Sequence, residues 1–220
     1  VSTVDIADAV AKGKVLLFNL NTAVLGSIEA RIFGNLLLNL LFFAVLKRGR
    51  SVTDKHRPFQ LVVDEAATMV SESTLRLWAE ARKYGMGITT ATQSVGQLRN
   101  RFGEATIAQA LLGNTATKIL FRMGPADVAT LAAYAEPSVS VKELTTFPPL
   151  HAVVNMQCEG RPLAPFVMKA TRPSPDPNFH SSVVDVVASS NALYASPTIV
   201  LAKQLSEVHG ISEGGFLNSW

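Results

Sequence analysis

Phe59-Gln-Leu-Val-Val-Asp-Glu-Ala66 decides how this chain is read. A mostly apolar run ends in two adjacent carboxylates, Asp64 and Glu65, and a small residue follows. The run predicts a strand buried on both faces, as in a parallel sheet. Carboxylates at the tip of such a strand are costly to bury unless they meet a cation or a reacting water. Packing and chemistry are therefore expected to meet at residues 64 and 65.

Working outward, apolar runs alternate with helical patterns. Residues 14–20 (KVLLFNL) read as a buried strand, and residues 26–48 as a long helix with Glu29 near its start and Lys47-Arg48 at its end. After the strand at 59–64, residues 71–83 read as a helix that Gly85-Met-Gly87 ends. A short strand at 88–92 then delivers Gln93 and Ser94. Residues 104–112 predict a helix, 117–122 (TKILFR) a third apolar strand, and Pro125 the first turn of another helix. Residues 152–157 and 163–171 read as a strand pair around Glu159-Gly160-Arg161. Strand alternating with helix predicts an α/β fold with a mainly parallel sheet. The prolines of Arg172-Pro-Ser-Pro-Asp-Pro177 mark a linker, so residues 1–172 form the main domain and 173–220 a helical or disordered tail.

Composition narrows the classes. The chain has 220 residues, enough for one sizeable core. Charged residues make up only 17%, below the ~25% of a typical soluble domain, which predicts burial against other chains or other parts of a longer protein. The first residue is Val, which fits a piece of such a protein. Residues 32–46 are the most membrane-like stretch, yet they contain Gly34, Asn35 and Asn39 and fall short of the ~20 apolar residues of a span. A core helix is the better reading, with any membrane anchor outside this chain. The net charge of +3 does not argue for nucleic acid. One cysteine, Cys158, rules out an internal disulfide framework and reads as a small apolar strand residue. His56, His151, His180 and His209 lack metal-ligand spacing, and no G-x-S-x-G elbow occurs.

Asp64 and Glu65 resemble the Walker B pair of nucleoside triphosphatases, in which the first acid helps hold Mg²⁺ and the second polarises the attacking water. The matching phosphate loop, G-x-x-x-x-G-K-[ST], is not in the sequence. Gln93 ends the next strand, and neighbouring parallel strands share the edge where ligands bind, so it is a candidate sensor of phosphate or water. The alternative is a polar cap on a strand end. Arg82 and Lys83 read either as a helix cap or, for Arg82, as an arginine finger reaching a neighbouring subunit. Arg122, at the end of TKILFR, is a rival for that role or an exposed strand-end residue. The basic runs Lys47-Arg48-Gly49-Arg50, Lys55-His56-Arg57 and Arg99-Asn-Arg101 suit phosphate, as they also suit a solvated loop.

In order, LVVDEA, AEARKYGMGITTATQSVGQLRNRFGE and LLGNTATKILFRMGPADVATLA resemble the RecA-like motor domain of type IV secretion coupling proteins, the conjugative DNA-pumping ATPases within the hexameric DNA translocases. The resemblance covers roughly residues 12–172. It implies a RecA-like P-loop ATPase core with helices on both faces of its sheet, here lacking the Walker A part. It further implies Asp64 as the Mg²⁺-associated acid (through water), Glu65 as the catalytic base, Gln93 as the sensor and Arg82 as the arginine finger. ATP and Mg²⁺ are the implied substrate and metal. The implied partners are DNA, neighbouring subunits of a homo-hexamer, and relaxase or secretion-channel proteins. The implied location is the cytoplasmic side of the bacterial inner membrane, and the isolated chain is expected to be inert. The alternatives are a chromosome- or DNA-end-processing translocase of the same superfamily, a protein-export ATPase, or a non-catalytic interaction fragment.

Overall fold

The computed structural model describes residues 4–48, 58–98, 106–174 and 183–196, together with positions 200, 203 and 207. The basic runs within 49–57 and 99–101, and His56, His180 and His209, lie outside the described residues. The chain divides into two compact units, Ile6–Arg172 and a second made of Val1–Asp5 with Pro173–Trp220.

In the larger unit, helices α1 (Ile6–Ala11), α2 (Thr22–Leu25) and α3 (Ser27–Arg48) precede strand β1 (Phe59–Val63). Helix α4 (Leu75–Glu80) continues through a 3-10 turn at Ala81–Tyr84, and Gly85 closes it in the left-handed conformation (φ 72°) that glycine adopts freely. Strand β2 (Met86–Thr90) pairs in parallel with β1, Phe59 opposite Met86 and Val63 opposite Thr90. Next come α5 (Thr106–Asn114), β3 (Lys118–Phe121), α6 (Pro125–Leu131), α7 (Val141–Thr146) and β4 (His151–Asn155). The small ladder of β5 (Gln157–Cys158) and β6 (Arg161–Pro162) and the strand β7 (Phe166–Lys169) complete the unit.

Two cores divide this unit. In the first, Leu38, Phe42 and Val45 of α3, Leu77 and Trp78 of α4, and Ile107, Ala108 and Leu111 of α5 pack with Val63 and Met86. In the second, Val128, Leu131, Leu144 and Phe147 pack with Leu120 and Val153. Gly34 lets α3 approach the chain beyond β1, because a Cβ there would come within 2.7 Å of Met69 Cγ.

The architecture corrects the sequence reading in four places. Residues 14–20 are extended but join no ladder, with Val15 and Leu17 more than 80% exposed. They line a cavity of about 680 Å³ against α3 and the outer edge of β1 instead of pairing with it. Second, β1 is not buried on both faces: Val63 faces the core while Val62 is 68% exposed, so helices do not cover both faces among the described residues. Third, parallel pairing among the described residues is confined to β1 and β2; TKILFR does form a strand, but β3, β4 and β7 make an antiparallel sheet. Helices α6 and α7 carry the chain from β3 to β4, which lies beside β3 reversed. Fourth, Cys158 is in a strand but exposed.

Helix α3 is the one described helix long and apolar enough to cross a membrane. One of its faces belongs to the core, where the Asn35 amide donates to Met69 O and Ser71 Oγ and the Asn39 amide to Asn35 O. Its other side exposes Ile28, Ile32, Leu36, Leu40 and Phe43. Helix α7 was not legible from apolar periodicity, yet Ser140-Val-Lys-Glu143 is a capping box, a signal the sequence does carry. In the second unit, α8 (Val183–Tyr194) is helical, with Val184, Val186 and Leu193 exposed.

Candidate functional site

Parallel pairing of β1 with β2 brings the ends of the two strands to one edge. The ladder continues past both strands, because Ala91 N donates to Val63 O and Ala66 N to Ala91 O. Glu65 and Gln93 therefore face each other although they lie far apart in sequence. Gln93 Nε2 donates to Glu65 Oε1 at 2.5 Å. Gln93 and Asp64 are exposed and Glu65 is half-buried, so the carboxylates meet solvent rather than a closed core.

Glu65 adopts a left-handed backbone (φ 50°, ψ 45°), unusual for a residue with a side chain. Such a conformation costs on the order of 1–3 kcal/mol and persists only where neighbours hold it. Here they do. Glu65 N donates to Asp64 Oδ1, Glu65 O accepts from the Thr68 amide and hydroxyl, and the next amide is held by Ala91. The turn keeps the Glu65 side chain at the strand edge, within reach of Gln93.

Asp64 offers a single carboxylate, with Oδ1 engaged by the Glu65 amide. Among the described residues, no group of three or more His, Cys, Asp or Glu side chains could hold a metal. One carboxylate at a strand tip fits Mg²⁺, which keeps several waters and is held by one or two acids together with substrate phosphates. It does not fit a cation caged wholly by protein groups.

The structure does not bring Arg82 to this edge. Arg82 lies in the turn before β2, at the opposite end of the pair, and is exposed. The five-residue ladder separates it from Glu65 by roughly 16 Å at about 3.3 Å per residue. It therefore cannot serve the Glu65 of its own chain. Arg122 is exposed just beyond β3.

Sequence reading missed what lies beneath Gln93. Asp127, buried in the first turn of α6, accepts from the Ser94 hydroxyl and the Gly96 amide, both at 3.0 Å. An acidic residue in a first helical turn was legible as a dipole partner, whereas its reach across 31 positions was not. Clear pKa displacements among the described residues lie elsewhere. Burial pushes the Lys118 ammonium down, and the Ser140 hydroxyl and amide hold the Glu143 carboxyl below its ordinary value.

A family model described as the TraM recognition site of TraD and TraG matches residues 58–138, which include Asp64, Glu65, Arg82, Gln93, Arg122 and Asp127. No curated protein matches the chain. Among solved structures, the plasmid coupling protein TrwB in complex with the GTP analogue GDPNP is similar, at TM-score 0.50 and 20% identity, over 71% of this chain and 40% of that one. TrwB in complex with ADP and Mg²⁺ gives the same values. The genome packaging NTPase B204 of Sulfolobus turreted icosahedral virus 2, in complex with AMPPCP, gives TM-score 0.52 and 14% identity over 77% of this chain and 73% of that one. At these identities the likeness is one of fold, that of P-loop NTPases, and the chain spans 40% of the length of TrwB. With its matched segment and this fold, the chain resembles the C-terminal part of the coupling-protein ATPases.

Proposed function

We propose that this chain supplies the water-activating half of an ATP site in a ring-forming ATPase that moves DNA in conjugation or type IV secretion. The observation that carries this reading is the Gln93–Glu65 hydrogen bond at the shared edge of β1 and β2. Glu65 takes a proton from the attacking water while Gln93 holds its carboxylate and reports the γ-phosphate. Asp64 would help hold Mg²⁺ through water, and the metal would neutralise charge on the phosphates when bound. The phosphate loop comes from a part of the protein outside this chain. Arg82, at the far end of the strand pair, acts on the site of a neighbouring subunit in a homo-hexamer. DNA and relaxase or channel proteins are the partners, on the cytoplasmic side of the membrane.

In the longer protein that carries the phosphate loop, Glu65→Gln is expected to lower ATP turnover by about 10²–10⁴-fold, the usual worth of a general base, with ATP binding retained. Near-normal turnover in that variant sinks the assignment.

The description of the matched segment favours a second reading, in which residues 58–138 recognise a TraM-like accessory protein. Titrating the chain with such a protein tests it, and absence of binding at micromolar concentration removes it.

A further inference from the structure

Gln93 sits on a short stretch of chain held from two sides. Upstream, Ala91 is bonded through its amide to Val63 O and through its carbonyl to the Ala66 amide. Downstream, the Ser94 hydroxyl and the Gly96 amide both donate to Asp127 Oδ1, and the Gly96 amide also reaches Ser94 Oγ at 3.2 Å. Thr92 Oγ1 donates to Ser94 O at 3.1 Å, which tightens the stretch between the anchors. The turn is packed closely, since a Cβ on Gly96 would lie 3.3 Å from Ser94 Oγ and 3.7 Å from Asp127 Oδ1.

Asp127 is one of two buried polar side chains among the described residues, at 8% exposure. A buried carboxylate is tolerated where donors satisfy it, and here both donors come from the segment that follows Gln93. Its own helix, α6, belongs to the second core through Val128 and Leu131. Val95, inside the same turn, packs against both cores. The contact therefore ties the sensor segment of the parallel pair to a helix of the antiparallel half.

We propose that Asp127 is a positioning residue for hydrolysis: by holding the Ser94–Gly96 turn it sets the reach of Gln93 to Glu65. The inference rests on the assignment of Gln93 and Glu65 above. It also gives the antiparallel half a route to the site, because a shift of α6 moves Asp127 and with it the turn behind Gln93.

The test is a double-mutant cycle on ATP turnover in the longer protein. Asp127→Ala is expected to lower kcat by about 10²-fold, the scale of a misplaced catalytic group, with KM for ATP nearly unchanged. Asp127→Asn keeps an acceptor oxygen and is expected to retain most of kcat. In a Gln93→Ala background, Asp127→Ala should cost nothing further, because groups acting through one another are not additive. The same loss with and without Gln93 overturns the proposal, as does an unchanged kcat. Should Asp127→Ala fail to fold, Ser94→Ala decides. It is expected to lower kcat several-fold in protein that still folds cooperatively, and an unchanged kcat again overturns the proposal. Normal turnover in Glu65→Gln fells this inference together with the assignment beneath it, whereas a dead Glu65→Gln beside a fully active Asp127→Ala fells this inference alone.

Discussion

The parallel pair β1–β2 and the antiparallel sheet β3–β4–β7 are built from similar apolar strands but end differently. In the antiparallel sheet β4 and β7 are joined through the small ladder of β5 and β6, which Glu159-Gly160 turn, and the pairing of β4 with β7 is extended at its other end where Ala170 N bonds Leu150 O. In the parallel pair the chain must travel through α4 to come back, and the two strand ends stay side by side and open to solvent. Backbone strain is not the distinction, because Leu150 (φ 65°) and Glu159 (φ 51°) are left-handed in the turns as Glu65 is at the strand end. What differs is the cargo. At the open edge the held residue is a carboxylate with a glutamine against it, and in the turns it is part of a connection. Parallel pairing here leaves a carboxylate and a glutamine together at an open edge; antiparallel pairing does not.

That division is most exposed to a test of its arginines. If the parallel half alone carries the reaction, Arg82→Ala in the assembled longer protein should lower turnover by about 10³–10⁵-fold, and Arg122→Ala should leave it near normal. The reverse result, read from steady-state ATP hydrolysis, would put the finger on the antiparallel half and break the comparison.

A stability measurement sharpens the other side. Leu144 is fully buried in the second core. Leu144→Ala is expected to lower unfolding free energy by about 2–5 kcal/mol, the range for such truncations, as read by urea denaturation. ATP turnover per folded molecule should stay near normal, provided the α6 contact to Ser94 survives.

The smallest expected effect is one of pH. The Ser140 hydroxyl and amide donate to Glu143 and hold its carboxyl below the ordinary value. A depressed carboxyl adds stability above its unfolded pKa and loses it as pH falls through the folded one. The start of α7 should therefore loosen only in acid below the usual glutamate range. Amide exchange at residues 140–143 followed on either side of that range checks this, and an equal loosening at neutral pH would contradict it.

The ends of β1 and β2 were more legible in the sequence than the sheet order. A run of apolar residues ending in Asp64-Glu65, then a second ending before Gln93, is local information, and local geometry preserves it. Sheet membership is not local. Nothing in TKILFR says whether its neighbour arrives parallel or reversed, since β-branched and aromatic residues suit either ladder. Likewise KVLLFNL has the composition of a buried strand, yet among the described residues it stays extended beside the edge of β1 without pairing. Asp127 was illegible for the same reason, its partners being set by how two cores meet.

Trp78 gives this architecture an optical readout. Its indole N–H donates to the hydroxyl of Thr90, the last residue of β2, and the ring is nearly buried in the first core. The chain has one other tryptophan, Trp220. With that residue replaced by phenylalanine, indole emission would come from a single ring attached to the strand that delivers Gln93. Its wavelength and quenching would then follow events at the strand edge in real time, with no label added to the protein.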